Sequence, residues 1–193
     1  IAPGRSVVAP KAGYLVPAAH ADMVARKLAA HGIEFSRLDR ALATTRVESF
    51  RAEKTTYAAS TVEGHHRLTV EGRWASENRD IGPGALFVPI AQAKARLAMA
   101  LLEPQAPDSL VAWGGFNNAF EQKEYMEDYV AEEVAREMLA KDPTLRAGFE
   151  HKLKDDAAFA GDPAQRLEFF YRRHSAWDER FGLYPIFRID TAP

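Results

Sequence analysis

Apolar positions change their spacing along the chain, and the changes mark its elements. Tyr14-Leu15-Val16 is a short apolar run stopped by Pro17, which predicts a buried strand. From His20 to Ala30, Met23, Val24 and Leu28 recur at helical spacing. Asp22 suits the positive end of that helix, Arg26 and Lys27 suit the negative end, and Gly32 follows as a left-handed stop. Ile33 to Leu38 is again extended, completing a strand–helix–strand unit.

Between Ala43 and Ile90 the helical period disappears. His66 to Trp74 alternates, with Leu68, Val70 and Trp74 on the apolar side, and Ala85 to Ile90 is an apolar run after the turn Gly82-Pro83-Gly84. At least three strands are expected, antiparallel because the connections are too short for crossovers. Gly64 and Gly72 are turn or bulge positions.

Helical spacing returns from Ala91 to Leu102, with Ala93, Leu97, Ala100 and Leu101 in a stripe, and Pro104 and Pro107 end it. Ser109 to Phe116 is apolar and broken by glycine. A long helix is then predicted over Asn118 to Ala140, striped by Met126, Val130, Val134 and Met138, with Glu132–Arg136 and Glu137–Lys141 as i,i+4 pairs. Asp142-Pro143 and Asp162-Pro163 read as cap and first residue of further helices, and Tyr184 to Ile189 closes in extended form. Strands first and helices afterwards make the expected class α+β. Residues 1–13 read as a linker and 14–193 as one domain, with a split into 14–103 and 104–193 as the alternative.

Composition excludes several classes. The chain has 193 residues and an apolar share of 47%, enough for a core without covalent staples. The absence of cysteine removes disulfides, thiolate metal sites and thiol nucleophiles. A net charge of −2 argues against a general nucleic-acid binder, and no run approaches the ~20 apolar residues of a membrane span. The charge is unevenly laid: residues 1–60 carry an excess of basic groups and 104–193 an excess of acidic ones. Acidic solvated helix faces account for this most simply. The chain begins with Ile1, from which an excised or processed piece is expected; no signal peptide is seen, and such a piece would have lost one.

Few groupings suggest chemistry. His31 and Glu34 have the spacing with which some zinc hydrolases place an imidazole and a carboxylate on the metal, and His151 or His174 would have to supply a third ligand. Helix termination explains Gly32, and the negative helix end favours His31, so the pair is the weaker reading. His65 and His66 are neighbours on a strand and face opposite sides. Trp113-Gly114-Gly115-Phe116-Asn117 before a helix suggests an anion nest or an aromatic platform, with Glu121 and Glu124 beyond it. Acids in the first helical turns work against a phosphate there. Glu121/Glu124 and Glu124/Asp128 share helix faces, and one acid would need burial for acid–base work. Trp113, Phe116, Asn117, Glu121 and Glu124 are therefore the candidate binding residues, with no catalytic residue assigned. No GxSxG elbow, phosphate loop or dinucleotide fingerprint is present.

Several stretches taken in order carry a resemblance: Gly13 to Pro17, His31-Gly32-Ile33, Leu86 to Gln92, Leu101 to Pro104, Asp108 to Gly114, and Phe120 to Glu127. In that order they resemble the region following the catalytic domain in bacterial carboxypeptidase A-like zinc metallopeptidases. The resemblance implies a non-catalytic C-terminal accessory region of a periplasmic or secreted protein. The zinc and the catalytic residues would then lie in a preceding peptidase domain of the same chain. The region itself would hold no cofactor. Its expected roles are stabilising that domain, shaping its substrate cleft, or contacting a polymer such as cell-wall peptide.

Overall fold

The computed structural model describes residues 6–121 and 126–193. The fold is α+β. The chain forms two compact units, one running up to Glu121 and resuming at Arg180, the other between them.

The first unit is built on an antiparallel sheet. Its strands are β1 (Gly13–Val16), β2 (Ser36–Arg37), β3 (Leu42–Val62), β4 (His65–Ile81), β5 (Leu86–Pro89) and β6 (Phe187–Ile189), in the order β2-β5-β1-β6-β3-β4. The expected strand–helix–strand unit is present, but its strands do not pair with each other; β5 lies between them. The C-terminal β6 sits between β1 and β3, so the last residues complete the centre of the sheet.

Side-chain alternation divides the sheet into two faces. Tyr14, Val16, Phe50, Leu68, Val70, Leu86 and Val88 look to the larger core. They meet Ala21, Val24 and Leu28 of α1 (Ala18–Ala30) and Ala98 and Leu102 of α2 (Ala95–Leu102). Leu15, Val47, Ile81, Phe187 and Ile189 form a smaller cluster from the other face.

The long hairpin of β3 and β4 turns at Glu63-Gly64, both at positive φ (49° and 79°), which matches the right-handed twist of its strands. Ala52 pairs with Gly72 but Lys54 pairs with Glu71, so Glu53 is an extra residue on β3. The β3 positions opposite the core side of β4 therefore change parity, from Phe50 opposite Trp74 to the exposed Thr55 and Tyr57 opposite Val70 and Leu68. Gly72 has no side chain because a Cβ there would collide with the backbone of Arg51 and Ala52.

The helix expected over Asn118–Ala140 is not continuous. A single turn, α3 (Asn117–Phe120), ends at an extended Glu121, and α4 (Asp128–Lys141) starts after an extended Glu127. On α4 the buried residues are Ala131 and Ala135, while Val130, Val134 and Met138 are half-buried. α4 packs against α7 (Pro163–Tyr171) and α5 (Pro143–Asp155). Asp142 caps α5 and Asp162 caps α7, each through backbone N–H groups two and three residues on. Between them, Asp156 caps a short α6 (Ala157–Gly161) that periodicity does not reveal. Phe149, Phe159, Phe169 and Phe170 pack together as the aromatic centre of this unit. The two i,i+4 pairs of α4 are formed, at 3.1 Å and 2.8 Å.

Candidate functional site

A groove of about 670 Å³ opens on the first unit. α1 buries Ala21, Val24 and Leu28, which leaves Met23 and Lys27 on the groove side, with His31 capping the helix. α2 is apolar on two faces. Ala98 and Leu102 enter the core, and Leu97, Ala100 and Leu101 form the groove floor together with Leu110. Glu63 and His65 come from the hairpin turn, and Asp108 and Trp113 from the loop after α2.

Three side chains orient Trp113. Its Nε1 donates to Asp108 at 2.9 Å, the Arg67 guanidinium lies 4.6 Å from the ring centroid, and His65 meets it edge-on at 5.9 Å. Arg67 also donates to the Pro107 carbonyl. The loop beneath is tied by Gly115 N–H to Leu110 C=O at 2.8 Å. The buried Ser109 hydroxyl donates to Pro104 C=O and accepts from Ala112 N–H. Gly114, at φ 81°, makes the corner. An apolar floor with a rigid aromatic wall and a few charged groups suits a ligand with apolar groups and a polar backbone.

The expected binding residues separate here. Trp113 lines the groove. Phe116 lies wholly inside the core, edge-on to His20 at 5.3 Å and to Tyr184 at 5.4 Å. Asn117 begins α3, and its buried Oδ1 has no hydrogen-bond partner among the described residues. Glu121 is exposed at the end of α3; burial, and then the charge of Glu121, pushes the Tyr57 hydroxyl above its ordinary pKa. Glu124 lies outside the described residues.

His31 and Glu34 also diverge. His31 reaches the groove, while the Glu34 backbone exchanges hydrogen bonds with the Gln92 side chain at 2.8 Å and 3.1 Å. His151 pairs with Asp155 on an exposed face of α5, and His174 Nδ1 accepts from Ala176 N–H. Among the described residues, no three metal-ligating side chains converge.

His20 carries a pH response. Burial pushes its imidazole below the ordinary value of 6.5. As pH falls, the unfolded chain takes up this proton before the folded one does, so stability declines through and below that value. Thermal unfolding followed from about pH 7.5 to pH 5 should show a falling midpoint, and His20→Gln should flatten that slope. An unchanged slope in the variant would remove His20 as its source.

Sequence patterns did not mark the buried polar centre of this unit. Glu103, 3% exposed, accepts from the Tyr14 hydroxyl at 2.7 Å and from Arg188 Nε and Nη2 at 2.9 Å and 2.6 Å. Arg188 also lies 4.1 Å from the Trp74 ring centroid and 3.7 Å from Glu48. Beside them the buried Tyr184 hydroxyl donates to Leu102 C=O at 2.8 Å. Burial, then the nearby Glu103 carboxylate, pushes both tyrosine hydroxyls far above their ordinary pKa. The network joins β1, the end of α2 and β6. The available signals were an acid closing an apolar helix and an arginine inside an apolar strand, 85 residues apart.

No family model matches the chain, and neither a curated protein nor a solved structure matches it. No helix among the described residues is long and apolar enough to cross a membrane.

Proposed function

We propose that this chain is a non-catalytic accessory module of a zinc carboxypeptidase-like protein, periplasmic or secreted. It works beside a peptidase domain that precedes it in the same chain and carries the zinc. Its task is to support that domain and to contact peptide substrate, cell-wall peptide included. The ordered stretches from Gly13 to Glu127 support the kinship. The observation that carries the recognition role is the groove, whose wall residue Trp113 is fixed by Arg67, His65 and Asp108 over an apolar floor.

A self-contained zinc hydrolase using His31 and Glu34 is the rival. Incubating the purified chain with zinc and carboxypeptidase substrates, followed by metal analysis, separates the two. The accessory reading expects no turnover and no stoichiometric zinc. One tightly held zinc per chain, lost in His31→Ala, would transfer the argument to the rival. Peptide binding is read by calorimetry, where Trp113→Ala should weaken affinity at least about tenfold, the loss of one aromatic anchor.

A further inference from the structure

β4 is the outermost strand of the sheet, and its outer edge is open from Gly72 to Asn78. The extra residues of the hairpin all fall on β3, so β4 runs regularly throughout. Leu68 N–H points outward to Ala112 C=O, and Val70 C=O points outward to the Gln105 side chain. By the two-residue repeat, the backbone groups of Gly72, Trp74, Ser76 and Asn78 also point outward. Among the described residues no other element bonds to them. No proline interrupts this stretch.

Its charges form a pattern. Glu71, Arg73, Glu77 and Arg79 stand on the face away from the larger core, arranged symmetrically about Ala75. An antiparallel second β4 centred on Ala75 would set Arg73 opposite Glu77 and Glu71 opposite Arg79, and the two-fold axis would repeat both pairs. The same register places Trp74 opposite Ser76 and Gly72 opposite Asn78, which are the positions with outward backbone groups. Hydrogen bonding and charge therefore select the same register. Within the chain these side chains already have partners: Arg73 with Glu53, Glu71 with Lys54 at 3.5 Å, and Glu77 with Arg79 at 2.8 Å and Arg51 at 3.7 Å. A second copy would extend an existing row of alternating charges rather than meet bare ones.

We infer that the open edge of β4 binds a second copy of this chain, antiparallel and centred on Ala75, so that one sheet runs through both copies. An edge of this length, unblocked by proline, is a template for strand addition, and its charge order is complementary to itself.

Sedimentation equilibrium of the full chain, with three variants, tests this. The parent chain should associate to twice its 21.4 kDa mass. Ser76→Pro removes an outward N–H without breaking a bond to β3, so the variant should be monomeric with an unchanged unfolding midpoint. Arg73→Glu places like charges opposite each other twice and should weaken association about tenfold, and adding Glu77→Arg should restore it. Because the chain lacks cysteine, Ala75→Cys introduces a single thiol. Facing residues of a non-hydrogen-bonded pair lie about 4.5 Å apart at Cα, within disulfide range, so this variant should cross-link on mild oxidation faster than an exposed Ser60→Cys control. A parent chain that stays monomeric at every concentration overturns the inference. So does a dimer that survives Ser76→Pro, or cross-linking no faster at position 75 than at position 60.

Discussion

Arg188→Met should cost about 3–5 kcal/mol of folding stability, the range seen when one partner of a buried ion pair is removed. The substitution leaves Glu103, 3% exposed, with the Tyr14 hydroxyl as its remaining hydrogen-bond donor. It also removes the guanidinium from the Trp74 ring and from beside Glu48. Urea unfolding of the two proteins measures the difference as a shift of midpoint at constant slope. The double variant Arg188→Met/Glu103→Leu should recover much of the loss, because it leaves no unpaired charge behind. If the double variant is as unstable as the single one, the cost arises from packing around Arg188 and not from an orphaned carboxylate. β6 lies between β1 and β3, so the loss should appear as cooperative unfolding of the whole first unit.

That network also shows where sequence patterns lose their hold. Local signals were strong and the structure carries them: Asp142-Pro143 and Asp162-Pro163 open helices, Gly32 ends one, and Leu68, Val70 and Trp74 face one side of a strand. Each is decided within a few residues. Glu103 and Arg188 meet only after β6 has inserted beside β1, and nothing near either residue announces the other. The tip of the hairpin was silent for a different reason. It is exposed on both faces, so no alternation marks it, and the bulge at Glu53 changes which β3 positions stand opposite Leu68 and Val70. The groove was half legible. α2 has more apolar positions than one buried face requires, and the surplus, Leu97, Ala100 and Leu101, is the floor. Which of Trp113 and Phe116 lines the groove was not decided by their proximity in sequence. The corner at Gly114 separates them, sending one to the groove and the other to the core.

Phe116→Ala and Trp113→Ala should therefore behave as opposites. Truncating Phe116 removes a fully buried ring between His20 and Tyr184 and should cost about 3–5 kcal/mol, through lost transfer energy and the cavity left behind. His20 would lose part of the burial that depresses its pKa, so the acid-side fall in stability should shrink in the same variant. Trp113 is half-buried, and its ring is held by Arg67, His65 and Asp108 at the groove wall. Its truncation should cost about 1 kcal/mol, typical of a single substitution outside the core, while removing most of the peptide affinity proposed for the groove. Unfolding curves and calorimetric titrations on both variants give four numbers, and the expectation is a crossed pattern. If Trp113→Ala lost stability without losing affinity, the pinned indole would be a strut for the loop at Asp108–Gly115, and the recognition surface would have to be sought elsewhere on the sheet.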